Sequence, residues 1–131
     1  MSDAQLRVEL VAADRLVWSG EAKMVIARTT EGDVGILPNH APMLAVIIEG
    51  VVDVQTADGE TWVAAVDAGF LSVAHNRVSI LSEHAEMSHE IDLEKARQDL
   101  ERAKALGEND DEAQEAVRRA EARIRAVEMA S

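Results

Sequence analysis

Near Glu90 the spacing of apolar residues changes, and that change fixes how the chain can be organised. From Gln5 to about Ser82, apolar side chains alternate or form short β-branched runs, with turn signals roughly every 8–12 residues. "LRVELVA" alternates cleanly at Leu6, Val8 and Leu10. "VVDVQTADGETWVAAV" predicts a hairpin with Asp58-Gly59 as a two-residue turn, and "FLSVAHNRVSIL" predicts another turning at His75-Asn76. "VWSGEAKMVIA" predicts two short strands around Ser19-Gly20, with Gly50 and Gly69 at further bends. Many short strands at this spacing call for an antiparallel sandwich or barrel rather than a parallel sheet.

Beyond Glu90 the period becomes helical. Leu93, Ala96, Leu100, Ala103 and Leu106 share one stripe, with Asp92 as N-cap and Gly107 at the C′ position. Asp111 predicts the cap of a second helix, and Gln114 three residues on completes a capping box. The second stripe runs through Ala113, Ala116 or Val117, Ala120, Ile124 and Val127. Acids crowd the first turns of this helix and arginines its later ones, matching the helix macrodipole. The fold class is therefore mainly β with α appended. An antiparallel β-sandwich over residues 1–88 is followed by an antiparallel two-helix hairpin over residues 89–131. Alanine dominates the hairpin seam, and each Ala–Ala contact buries little area at about 25 cal/mol per Å². Two readings stay open: a stable hairpin packed on the sandwich, or a weakly held one that docks in more than one place.

Charge narrows the functions. The formal net charge of −12 argues against nucleic acid, whose binding rests on Lys and Arg neutralising phosphates. Residues 1–90 carry 14 acids and 5 bases, whereas residues 91–131 carry 11 acids and 8 bases, so the cations collect in the last third. That asymmetry suggests two parts with different partners. No stretch approaches the ~20 apolar residues a membrane span needs, and the acidic start resembles neither a secretory signal nor a transit peptide. A soluble protein without membrane insertion is expected, and the lack of cysteine fits a reducing compartment.

No catalytic constellation is evident. The four histidines (His40, His75, His84 and His89) lack metal-site spacing, and no nucleophile elbow is present. With Trp18, Trp62 and Phe70 as the only aromatics, a free-standing sandwich that binds peptide or sugar is a weaker alternative.

The stretch at residues 31–44, "EGDVGILPNHAPML", holds both prolines of the chain and reads as a rigid, partly apolar loop. "GDVGILPNHAPML" resembles the loop of the epsilon subunit of bacterial F-type ATP synthase, with Asp33 in place of Glu and Asn39 in place of Gly. "VWSGEAKMV", "GVVDV", "GFLSVAHNRVSIL" and the terminal helical pair also fall where that family has them, so the resemblance covers roughly residues 5–130. It implies a non-catalytic subunit of the rotating central stalk, peripheral on the cytoplasmic face of the bacterial membrane. Its implied partners are the gamma subunit, the c-ring and the catalytic β subunits. Glu31, Asp33, His40 and Pro42 match interface positions, although His40 could instead be satisfied within its own turn. The helices match a regulatory arm that restrains ATP hydrolysis in many bacterial members. Arg118, Arg119, Arg123 and Arg125 would then meet acids on the β subunit, or else simply complement the helix dipole. The resemblance implies no required cofactor. Some members bind ATP on the folded hairpin, at positions matching Glu86, Ile91, Asp92, Lys95, Ala96, Arg102, Arg119 and Arg123. Lys95 stands where the motif has arginine and lacks the planar bidentate fork, so ATP is expected only as a weak regulatory ligand.

Overall fold

A computed structural model describes residues 5–107 and 109–130. Nine strands come first: β1 (Leu6–Ala12), β2 (Arg15–Thr29), β3 (Gly32–Ile36), β4 (Met43–Ile47), β5 (Gly50–Thr56), β6 (Thr61–Val66), β7 (Gly69–Ala74), β8 (Arg77–Ser82) and β9 (Ala85–Met87). A 3-10 turn at Ser88–Glu90 leads to α1 (Leu93–Ala105) and α2 (Asp111–Ala130).

The strands form a two-layer sandwich because β2 is long enough to serve both layers. Its first half pairs with β1, which continues through β8 and β7 to β4. Its second half pairs with β3 and β5, and β5 continues through β6 to β9. Leu6, Val8 and Leu10, Leu71 and Val73, and Val78 and Ile80 point inward with the period of two that their strands impose. One pairing departs from the antiparallel expectation, since β1 and β8 run parallel.

Three local expectations are corrected. "VWSGEAKMVIA" is one continuous stretch of β2 rather than two strands. Gly20 does not bend the strand. A Cβ there would meet the Trp18 ring at 2.9 Å, so the missing side chain makes room for the indole. The β5–β6 loop is not the two-residue turn expected at Asp58-Gly59. It closes between Thr56 and Glu60, with Gly59 at φ +90°, as in a type I turn completed by a left-handed glycine. The 31–44 stretch is not one loop either, because β3 occupies most of its first half and, after it, only residues 37–42 lie outside strands before β4 begins. The turn at His75-Asn76 is as expected, with both residues at positive φ and Ala74 paired to Arg77.

At the helices, Asp92 accepts the Lys95 amide at 3.1 Å and caps α1, and Gly107 follows it at φ +100°. The cap of α2 falls one residue before the expected Asp111. Asp110 accepts from the amides of Glu112 and Ala113 at 2.9 and 3.3 Å. The hairpin is layered on the sandwich through α2. Ala122 and Ala126 pack on Val63 and Ala65 of β6, with Val51 and Ile91 at the margin. Ala113 and Ala120, also buried, lie on the stripe expected to face α1. β6 is consequently buried on both faces, which accounts for its unbroken "VAAV" run.

Candidate functional site

Three regions carry the residues singled out from sequence. The first lies at the two ends of β3. Thr29 organises the β2–β3 turn: its hydroxyl donates to the Gly32 carbonyl at 2.8 Å and accepts the Glu31 amide at 3.1 Å. The Glu31 and Asp33 carboxylates are thereby left exposed, with no hydrogen bond or ion pair among the described residues. His40 and Pro42 lie in the loop beyond the other end of the five-residue β3. Glu31 and Asp33 thus sit toward one end of β3, and His40 and Pro42 beyond the other.

In the 37–42 loop, Asn39 sits at φ +70°, the left-handed region that asparagine tolerates better than other side chains. Its amide donates to Asn76 Oδ1, and Asn76 Nδ2 donates back to Asn39 Oδ1 at 3.3 Å. The loop is therefore bolted to the tip of the β7–β8 hairpin. His40 Nδ1 lies 2.7 Å from the Ala41 carbonyl oxygen, which requires the Nδ1–H tautomer and spends that nitrogen within the turn.

The second region is the outer face of the layer opposite the hairpin. Val46 pairs with Phe70, Phe70 with Leu81, Leu81 with Val11, and Val11 with Leu16. Residues directly opposite one another share a face, so these five form one apolar row across five strands. Phe70 is 53% exposed, Leu81 55% and Leu16 57%, and neighbouring Leu44 reaches 74%. Their alternation with buried residues is visible in the sequence, but which strands align is not.

The third region is the junction of hairpin and sandwich, where cations of α2 meet acids of the sandwich. Arg118 pairs with Glu49 at 3.4 Å, Arg119 with Asp67 at 3.1 Å, and Arg123 with Glu86 at 2.7 Å. Arg125 forms no such pair among the described residues. Burial raises the Asp67 carboxyl above its ordinary value, and this outweighs the opposing pull of Arg119. The segment entering the hairpin is also clasped. Arg15 pairs with Glu90 at 3.2 Å and donates to the Ala85 carbonyl, while Glu90 accepts the Met87 amide at 2.9 Å. Those two donors hold the Glu90 carboxyl below its ordinary value.

The residues matched to a nucleotide site are only partly gathered. Arg102, Arg119 and Arg123 line one groove of about 220 Å³ on the hairpin, together with Asp99. Glu86 reaches it through Arg123, while Ile91, Asp92, Lys95 and Ala96 do not line it. Asp92 spends its carboxylate on the α1 cap, Ile91 packs at the β6 cluster, and Ala96 is buried. Among the described residues, no group of three or more His, Asp or Glu is placed to hold a metal ion, and no helix is long and apolar enough to cross a membrane.

A sandwich with a helical hairpin clamped on one outer face and an apolar row on the other is an interaction subunit, built to present surfaces. The comparisons carry this further. A family profile described as "ATP synthase, Delta/Epsilon chain, beta-sandwich domain" matches residues 5–88. The ATP synthase epsilon chain of Streptomyces avermitilis is 56% identical over 124 residues, covering 95% of this chain and 96% of the relative. That of Rhodococcus jostii is 48% identical over 128 residues, covering 97% and 99%. Among solved structures, a chain of the Euglena gracilis mitochondrial ATP synthase (OSCP/F1/c-ring, rotational state 1) superposes with a TM-score of 0.79 at 25% identity, covering 99% of this chain and 83% of that one. A chain of the Tetrahymena thermophila mitochondrial ATP synthase central stalk/c-ring shares the fold at a TM-score of 0.62 and 14% identity, with full coverage of both. The chain belongs to the ATP synthase epsilon chain family.

Proposed function

We propose that this chain is a non-catalytic central-stalk subunit of a bacterial F-type ATP synthase, peripheral on the cytoplasmic face of the membrane, which couples proton flow to ATP synthesis. The observation that carries the reading at the level of surfaces is the apolar row Val46–Phe70–Leu81, exposed across three adjacent strands on the face away from the hairpin. Exposed apolar area of this kind marks a protein contact. We assign it to the gamma subunit. Glu31 and Asp33, exposed and unpaired at their turn, suit basic loops of the c-ring, and His40 and Pro42 lie in the loop fixed by Asn39. In the described state the hairpin is down. Arg118, Arg119 and Arg123 are engaged by the sandwich, so extending the arm toward the β subunits exchanges one set of acids for another. ATP is a weak ligand of the hairpin groove lined by Arg102, Arg119 and Arg123.

Co-purification tests the assignment. The full chain should capture the gamma subunit, and Phe70→Asp should abolish capture while the circular dichroism spectrum stays unchanged. Undiminished capture by a folded Phe70→Asp chain would move the gamma contact elsewhere.

A further inference from the structure

Beside the hairpin junction lies a cavity of about 90 Å³, lined by Ile26 and Arg28 of β2, Asp33, Gly50, Val51 and Asp53, and Arg125 and Met129 of α2. Neither the Arg28 nor the Arg125 guanidinium has a hydrogen bond or ion pair among the described residues. Asp53 Oδ1 is buried without a partner, and burial alone raises the Asp53 carboxyl above its ordinary value. Gly50 has a part in the arrangement. A Cβ on it would meet the Arg28 stem at 3.1–3.2 Å, so glycine lets that stem lie flat across β5. Unpaired guanidinia call for an oxyanion, whereas the partnerless carboxyl oxygen of Asp53 calls for a hydrogen-bond donor. Few small ions offer both.

We propose that this cavity binds hydrogen phosphate, whose unprotonated oxygens accept from Arg28 and Arg125 while its P–OH donates to Asp53. The volume is several times the roughly 10–15 Å³ that one water requires, room for a tetrahedral ion of five heavy atoms. Asp33 is the one other carboxylate in the lining. It stands opposite Arg28 on the β2–β3 pair and is exposed, where solvent screens its repulsion. The proton selects the ligand. Sulfate carries none at neutral pH, and a phosphomonoester loses its own above about pH 6, so each would set a bare oxygen against Asp53. Because Arg28 comes from the sandwich and Arg125 from α2, the bound ion ties the two together and favours the docked hairpin. Orthophosphate is a substrate of ATP synthesis; that link rests on the stalk reading, whereas the titration below does not.

The full chain would be titrated calorimetrically at pH 8 and constant ionic strength with phosphate, sulfate and glycerol 2-phosphate. The expected result is saturable phosphate binding, with the other two anions at least about tenfold weaker. Arg28→Ala and Arg125→Ala should each weaken phosphate at least about tenfold while the circular dichroism spectrum stays that of the folded chain, since neither guanidinium is paired. Asp53→Asn, whose amide donates as well as accepts, should bring the phosphate-to-sulfate ratio close to one. Equal binding of phosphate and sulfate by the unmodified chain overturns the proposal. So does phosphate binding that survives both arginine substitutions.

Discussion

Asn39 and Asn76, 37 residues apart, each hold the left-handed backbone and are joined by two hydrogen bonds, one from an amide and one from a side chain. The pair fixes a loop that its own prolines stiffen but do not attach. Asn76→Gly keeps the positive φ and removes both bonds, which should cost about 1 kcal/mol in urea unfolding because the site is exposed. Asn39→Gly retains the amide bond to Asn76 and should cost less. Amide exchange over residues 37–42 should quicken more in Asn76→Gly; the reverse order would mean that the prolines alone hold the loop.

A chain ended after Glu90 should fold. The sandwich core takes its last member from Met87, and the Arg15–Glu90 clasp is preserved. Removing the hairpin uncovers Val63 and Ala65, so a modest stability loss is expected, together with greater binding of an apolar dye. A truncated chain that lacks a cooperative unfolding transition would show that the hairpin is part of one folding unit.

Much of this was legible because local chemistry repeats. The inward positions Leu6, Val8 and Leu10, the His75-Asn76 turn, the Asp92 cap and Gly107 each rest on a few neighbouring residues. What escaped was non-local. Gly20 reads as a bend until Trp18 is seen lying over it, and Ala122 and Ala126 read as filler until β6 is placed beneath them. Register aligned Val46, Phe70 and Leu81, and tertiary placement gave α2's arginines their partners, neither of which periodicity encodes. Glu31 and His40 were matched to interface positions through a pattern contiguous in sequence, and β3 holds them apart.

Asp67 and Glu90 should give stability opposite pH dependences. Burial raises Asp67, so between its ordinary and raised values the folded chain holds more proton than the unfolded one, and this contribution grows as pH falls through that window. Glu90 is lowered, so its contribution is complete above the ordinary value and is lost as pH falls through the lowered one. Asp67→Asn should therefore leave stability at pH 7 unchanged or raised, while Arg119→Ala, which strands a buried carboxylate, should cost about 1–3 kcal/mol. Urea melts of both variants at pH 4 and pH 7 measure this. A loss of several kcal/mol in Asp67→Asn would mean that the ion pair outweighs its desolvation.

The final expectation concerns ATP. In the groove Arg102 pairs with Asp99, and Arg119 and Arg123 already serve Asp67 and Glu86, so a triphosphate must compete with existing pairs. Lys95 lies outside the groove, in the first turn of α1, and as lysine it offers a point charge rather than a fork. Weak binding is expected for the unmodified chain. If α1 shifts to bring position 95 onto the nucleotide, Lys95→Arg gains one charge-assisted bond, and affinity should rise roughly ten- to a hundredfold. Bound ATP would then favour the compact hairpin, because a ligand moves an equilibrium only by its differential affinity for the two states. Calorimetric titration of both chains decides between these outcomes. Equal affinities would show that position 95 never reaches the ligand, and no binding by either would show that the hairpin groove is not a nucleotide site.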